Sequence, residues 1–166
     1  NINDIVDIHG DYHALLIGIN NYECLETLET PVYDVQVISK LLHDDYGFIT
    51  QTLINEKATR DNIIETINRI RKKLQKEDKL IIYYAGHGHF DKGTNTAYWL
   101  PVDAERDSDT KWIIADTITT NIKRISADHV MVLADSCYSG TLSRGIKIKM
   151  QSGELRTRYI NKILNK

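Results

Sequence analysis

The chain reads as an α/β protein built on an open, mainly parallel sheet with helices on both faces. Three observations lead there. Short apolar runs alternate in strict rotation with stretches whose apolar residues recur at helical spacing. The runs at Leu80 to Ala85 and Val130 to Ala134 are almost free of polar residues, as strands buried on both faces are. A length of 166 residues, with 42% hydrophobic and 27% charged content, suits one domain with a real core.

Each element has its own signal. Tyr12 to Ile19 is a short apolar run that ends at a pair of asparagines, a buried strand. Pro31 opens a helix carrying Val35, Ile38, Leu41 and Leu42, and Gly47 stops it. Ile49 to Ile54 carries Thr50, Gln51 and Thr52, so it reads as a half-exposed strand at a sheet edge. Thr59 is the expected N-cap of a helix striped by Ile63, Ile64, Ile67, Ile70 and Leu74. Leu80 to Ala85 is the third strand. Ile114, Ile118, Ile122 and Ile125 mark a further helix, Val130 to Ala134 the fourth strand, and Leu155, Ile160, Ile163 and Leu164 a last helix. No linker or repeat divides the chain, so residues 1–166 read as one domain, with 1–11 an N-terminal extension and 146–166 a tail. An aliphatic fourth strand left as an open edge invites aggregation, so something outside the chain is expected to cover it.

Bulk properties exclude several roles. A formal net charge of −2 gives no footprint for nucleic acid. No apolar run approaches the ~20 residues that cross a bilayer, and no signal peptide opens the chain. Two cysteines, Cys24 and Cys137, do not make a disulfide framework, which favours a reducing, cytoplasmic setting. A chain that opens on Asn1 without Met reads as a processed piece or as part of something longer.

The chemistry gathers where the third and fourth runs stop. One ends in Gly86-His87-Gly88, the other in Asp135-Ser136-Cys137-Tyr138-Ser139-Gly140. Cys137 is expected in the turn just past its strand, and His87 at the corresponding end of another. In parallel sheets, sites collect outside the carboxyl ends of the strands, so the two residues are placed to meet. A thiol with an imidazole is the minimum kit for nucleophilic cysteine chemistry.

Tyr83-Tyr84-Ala85-Gly86-His87-Gly88-His89, Tyr98 to Asp103 and the Cys137 motif occur in an order and spacing that resemble the caspase-like cysteine peptidases. The chain looks most like the metacaspases and their bacterial relatives. His87 precedes Cys137 by 50 positions, the rough interval of about 50 known for caspases. Animal caspases carry Gln-Ala-Cys at the nucleophile and this chain does not, which favours the metacaspase side. The resemblance runs from about Tyr12 to about Gly145. It implies a three-layer caspase-like fold whose final strands come from a separate small subunit of the same precursor. It also implies an endopeptidase in which Cys137 is the nucleophile, His87 its partner, and the backbone amides of Gly88 and Cys137 the oxyanion donors.

In metacaspases, an Asp two residues before the Cys and another near the start of the first helix line an acidic pocket. The matching positions are Asp135 and Asp34, so protein or peptide substrates with Arg or Lys at P1 are expected. A third pocket position, often Ser, is Ala85. Calcium is common in the family, but two of its ligand positions match Thr96 and Arg144, and Asp116 alone is a poor calcium site. No cofactor is therefore expected, and no metal at His89, which lacks a third ligand at useful spacing. Lys166 suits the proposed pocket, so the chain end reads as a self-cleavage site or as a boundary without function.

Plainer readings stand beside these. Asp135 is also suited to bracing the nucleophile loop, and Asp34 to an ordinary polar helix position. Cys24 reads as inert, and Asp103, Asp107 and Asp109 as solvated loop charges. The runner-up function is a catalytically silent caspase-like scaffold or sensor. A phosphate-binding α/β domain ranks lower, because no Gly-rich fingerprint precedes a helix.

Overall fold

A computed structural model describes residues 10–138, in which the elements follow the predicted rotation. They are β1 (Tyr12–Gly18), α1 (Pro31–Tyr46), β2 (Ile49–Ile54), a 3₁₀ turn (Asn55–Lys57), α2 (Arg60–Lys73), β3 (Lys79–Asp91), β4 (Thr96–Trp99), β5 (Ile113–Ile114), α3 (Ala115–Lys123) and β6 (His129–Tyr138). The sheet runs β2-β1-β3-β4-β5, with β6 paired to β3 off that path. The β1–β2, β1–β3 and β3–β6 pairings are parallel, whereas β3–β4 and β4–β5 are antiparallel. The polar strand β2 lies at the edge, as its composition requires.

Alternation along the strands builds two cores. Leu15, Ile17, Leu80, Ile82 and Tyr84 face one side, against Ile63 and Ile67 of α2 and Ile118 of α3. Ala14, Leu16, Tyr83 and Ala85 face the other, against Val35, Ile38 and Leu42 of α1. Each sheet face is thus covered by helix, giving three layers. The helix punctuation holds. The Thr59 hydroxyl accepts the Asn62 amide at 3.2 Å, and Gly47 closes α1 in the left-handed region at φ 68°.

Four expectations need correction. The reactive motifs do not follow the strands but lie inside them, because β3 and β6 continue pairing beyond their apolar runs. That extension is possible because β4 pairs with Gly88–Asp91 while β6 follows β3 to Gly88. Ile114 belongs to β5 rather than the helix, and Ile125 lies past the end of α3. Leu41 is exposed on α1 instead of joining its buried stripe. Asp103 is not a free loop charge: its Oδ1 accepts the Arg60 amide at 2.8 Å, satisfying an orphan donor at the start of α2, and Oδ2 lies 3.4 Å from Lys111. The predicted last helix, Arg144 and Lys166 lie outside the described residues.

Among the described residues, β6 pairs only with β3, and Val132 and Leu133 are exposed. No helix there is long and apolar enough to cross a membrane.

Candidate active site

The β3–β6 register places His87 directly opposite Cys137. Neighbouring strands lie about 4.8 Å apart, so the two backbone positions face each other across one strand spacing. The same ladder sets Ala85 opposite Asp135, and β1 sets Gly18 opposite Ala85. Gly18, Ala85 and Asp135 therefore form one row across three strands, on the face that α1 covers. The start of α1 sits over that row: a β-carbon on Gly18 would lie 2.8 Å from the Pro31 carbonyl oxygen and from Val35 Cγ2. Asp34 lies in this first turn, half-buried, while Asp135 is exposed. Asp135 therefore belongs to the Ala85 row, and Asp34 to the first turn of the helix over that face.

His87 is buried, and its imidazole is held from the loop after β1. Nε2 lies 2.8 Å from the Glu26 carbonyl oxygen. A carbonyl only accepts, so Nε2 carries the proton. That leaves Nδ1 with a lone pair, and this atom is buried without a hydrogen-bond partner among the described residues. An imidazole fixed in this tautomer is a ready proton acceptor. The Tyr22 ring packs against it, centroids 4.7 Å apart.

Asparagines hold the loop that supplies both contacts. Asn55, in the left-handed region at φ 47°, accepts the Asn20 and Asn21 amides on its side-chain oxygen at 2.8 and 3.1 Å. Asn20 in turn donates to the Glu29 carbonyl and accepts the Val32 amide. The loop is tied at both ends, which fixes Tyr22 and Glu26 between them.

Two residues the sequence reading passed over belong to the site. Tyr22 accepts the His87 N–H at 2.7 Å, and the Tyr84 hydroxyl lies 2.6 Å from the His87 carbonyl and 2.9 Å from that of Leu100. Burial pushes Tyr22 up to about 12 and Tyr84 well above the ordinary phenol value, so both stay protonated at any physiological pH. A signal for Tyr84 was present in its place three residues before His87. Tyr22 sits 65 positions away, and nothing local announces its role.

The remaining candidates fall differently. The Leu100 amide donates to the His87 carbonyl, so His87's backbone groups face β4 and those of Gly88 face β6. Gly88 and Cys137 both lie within the β3–β6 ladder. His89 packs between Tyr98 and Trp112, at 5.9 and 4.6 Å. Cys24 is exposed. Two of the family's calcium positions, Thr96 and Asp116, lie among the described residues. The Thr96 hydroxyl donates to the Thr94 carbonyl at 3.2 Å, and Asp116 is an exposed carboxylate on α3.

The chain is similar to known proteins in sequence and in fold. The chain is 27% identical over 154 residues to Metacaspase-1 of Meyerozyma guilliermondii, covering 80% of this chain and 36% of that protein. It is 34% identical over 88 residues to Metacaspase-1 of Schizosaccharomyces pombe, covering 48% of this chain and 21% of the relative. The chain thus spans about a third or less of the curated relatives it matches. In fold it is similar to the crystal structure of protein GSU0716 from Geobacter sulfurreducens, with a TM-score of 0.66 and 23% identity over 91% of this chain and 55% of that one. Residues 11–161 match the model of the caspase domain, and the chain belongs to that family.

Proposed function

We propose that this chain carries the catalytic dyad of a cysteine endopeptidase that cleaves after Arg or Lys. The observation that carries the reading is the His87–Cys137 register, together with an imidazole whose Nε2 is committed to Glu26 and whose Nδ1 is not. Nδ1 takes the Cys137 proton, and the thiolate attacks the scissile carbonyl. The tetrahedral intermediate collapses to a thioester as the imidazolium gives its proton to the leaving amine. Water, deprotonated by the same nitrogen, then releases the acid. The backbone amides of Gly88 and Cys137 are the assigned oxyanion donors. In a continuous ladder, backbone amides bond the neighbouring strand, so this role requires β3 and β6 to part above His87.

Preference for a basic side chain rests on Asp135, opposite Ala85 in the ladder, and on Asp34 in the first turn of α1. Two carboxylates match the guanidinium fork of Arg. Asp135→Asn is expected to lower kcat/KM for Arg substrates about ten- to a hundredfold, the loss of one charge-assisted contact. The exposed Val132 and Leu133 on β6 support a further strand docking there, supplied by a small subunit of the same precursor. No calcium is assigned to the Thr96 and Asp116 positions.

The test is cleavage of fluorogenic peptides ending in Arg, Lys or Asp by the full-length protein and its Cys137→Ala variant, with calcium or a chelator. Arg and Lys cleavage lost in the variant and insensitive to chelation is the expected result. Asp preference would overturn the acidic pocket and leave the dyad standing. No cleavage of any peptide would favour the second reading, a silent scaffold, which the uninterrupted β3–β6 ladder also accommodates.

A further inference from the structure

The buried phenols Tyr22 and Tyr84 between them meet both backbone groups of His87. Tyr22 accepts from the His87 N–H at 2.7 Å. Tyr84 spends its proton on the carbonyl of His87, at 2.6 Å, or of Leu100, at 2.9 Å. Both polar groups of residue 87 are thus met by one pair of side chains. The Tyr84 ring is fully buried and stacks on Trp99 with centroids 4.5 Å apart and an interplanar angle of 4°. It cannot swing without opening the core.

Position 86 is shaped around this pair. A β-carbon on Gly86 would lie 2.6 Å from the Tyr22 hydroxyl oxygen and 2.8 Å from that of Tyr84. Tyr22 and Glu26 also share one loop, so the segment that bonds the His87 backbone also bonds Nε2 of its ring. Backbone and imidazole are therefore fixed from the same side.

We infer that Tyr22 and Tyr84 are positioning residues: they set the His87 backbone so that Nδ1 is presented to position 137. Their hydroxyls bond the backbone of His87, not its imidazole. They work as neutral groups, so their removal adds no ionisation of its own between pH 5 and 9. The inference rests on the dyad reading above, and it goes further by assigning the alignment of that dyad to two phenols.

The test uses the full-length protein with Tyr22→Phe, Tyr84→Phe and His87→Ala. Iodoacetamide labelling of the Cys137 peptide is followed by mass spectrometry across pH, alongside kcat, KM and thermal midpoint. His87→Ala should displace the labelling profile of Cys137. Tyr22→Phe should move it in the same direction and lower kcat about ten- to a hundredfold with KM within twofold, the signature of misalignment rather than lost binding. Reduced thermal stability alone, with kcat and labelling within twofold of wild type, would make the phenols merely structural and overturn the inference. A profile unaffected by His87→Ala would instead remove the dyad, and the inference with it. If Tyr22→Phe fails to fold, Tyr84→Phe carries the same comparison, because it leaves the His87 N–H its acceptor.

Discussion

Replacing Gly86 by Ala puts the packing around His87 to a direct test. The new β-carbon would stand 2.6 and 2.8 Å from two hydroxyl oxygens, where ordinary contact begins at 3.4 Å. Each phenol must retreat by several tenths of an ångström, and Tyr84 is held by its stack on Trp99. Tyr22 therefore yields, stretching its 2.7 Å bond to the His87 amide beyond useful range. Overpacking costs about 1–3 kcal/mol, and the unpaired amide about 1–3 kcal/mol more. A stiffer unfolded chain returns about 0.4–1 kcal/mol. The expected net loss is about 1–5 kcal/mol, or roughly 2–20 °C in thermal midpoint for a domain of this size. Urea unfolding with a shared slope reads it. Gly47→Ala is the contrast: nothing lies within 4 Å of its β-carbon, and only the φ of 68° resists, at about 1–2 kcal/mol. The two sites thus separate steric from conformational cost. In a double-mutant cycle, Tyr22→Phe removes one of the clashing oxygens, so its combination with Gly86→Ala should cost at least about 1 kcal/mol less than the sum of the singles. Additive losses, or a Gly86→Ala protein within about 0.5 kcal/mol of wild type, would refute the reasoning.

Two other outcomes follow from the same bonds. Tyr22 holds its proton to about 12 in the folded chain, against 10.0 for an ordinary phenol, so the unfolded chain ionises first. Stability that is whole below pH 10 should therefore fall between pH 10 and 12, with about 2–3 kcal/mol of the fall from Tyr22, and Tyr22→Phe should remove that share and leave the part due to Tyr84 in a pH series of urea midpoints. Asp103→Ala removes the acceptor of the Arg60 amide, and it should cost about 1–2 kcal/mol with little change in peptide cleavage. A parallel loss of activity would place Asp103 in the site.

Hydrophobic pattern made the parallel layers legible, because β1, β2, β3 and β6 all carry apolar runs and the helices between them carry caps. It failed where pairing replaces pattern. Gly86-His87-Gly88 and Asp135-Ser136-Cys137 have no strand-like periodicity. They are extended because each offers the other a backbone partner, and β4 offers β3 another. The short strands β4 and β5 were missed for the same reason, being too brief to show a period. Cys137 and His87 were readable as chemistry. Tyr22 was not, since a phenol that accepts one amide 65 residues away leaves no local trace.

The interval of 50 residues between His87 and Cys137 has a structural origin. Every pair in the β3–β6 ladder, from Lys79 with His129 to Gly88 with Tyr138, is separated by 50. The spacing of the two reactive residues is therefore the register of the two strands, and a slip of one residue would move the thiol position to the opposite face. What fixes the register lies far from the chemistry. The Asp128 amide donates to the Lys76 carbonyl just before both strands begin, while Val130 packs beside Leu80 and Ile82 in the core. The apolar runs thus align β3 with β6, and the polar motifs at their ends are brought opposite each other by counting. Alignment of residue positions is then a property of the sheet, whereas the tautomer of His87 is set by the loop bearing Tyr22 and Glu26. The site draws on two independent parts of the fold, and only the first is written in the apolar pattern.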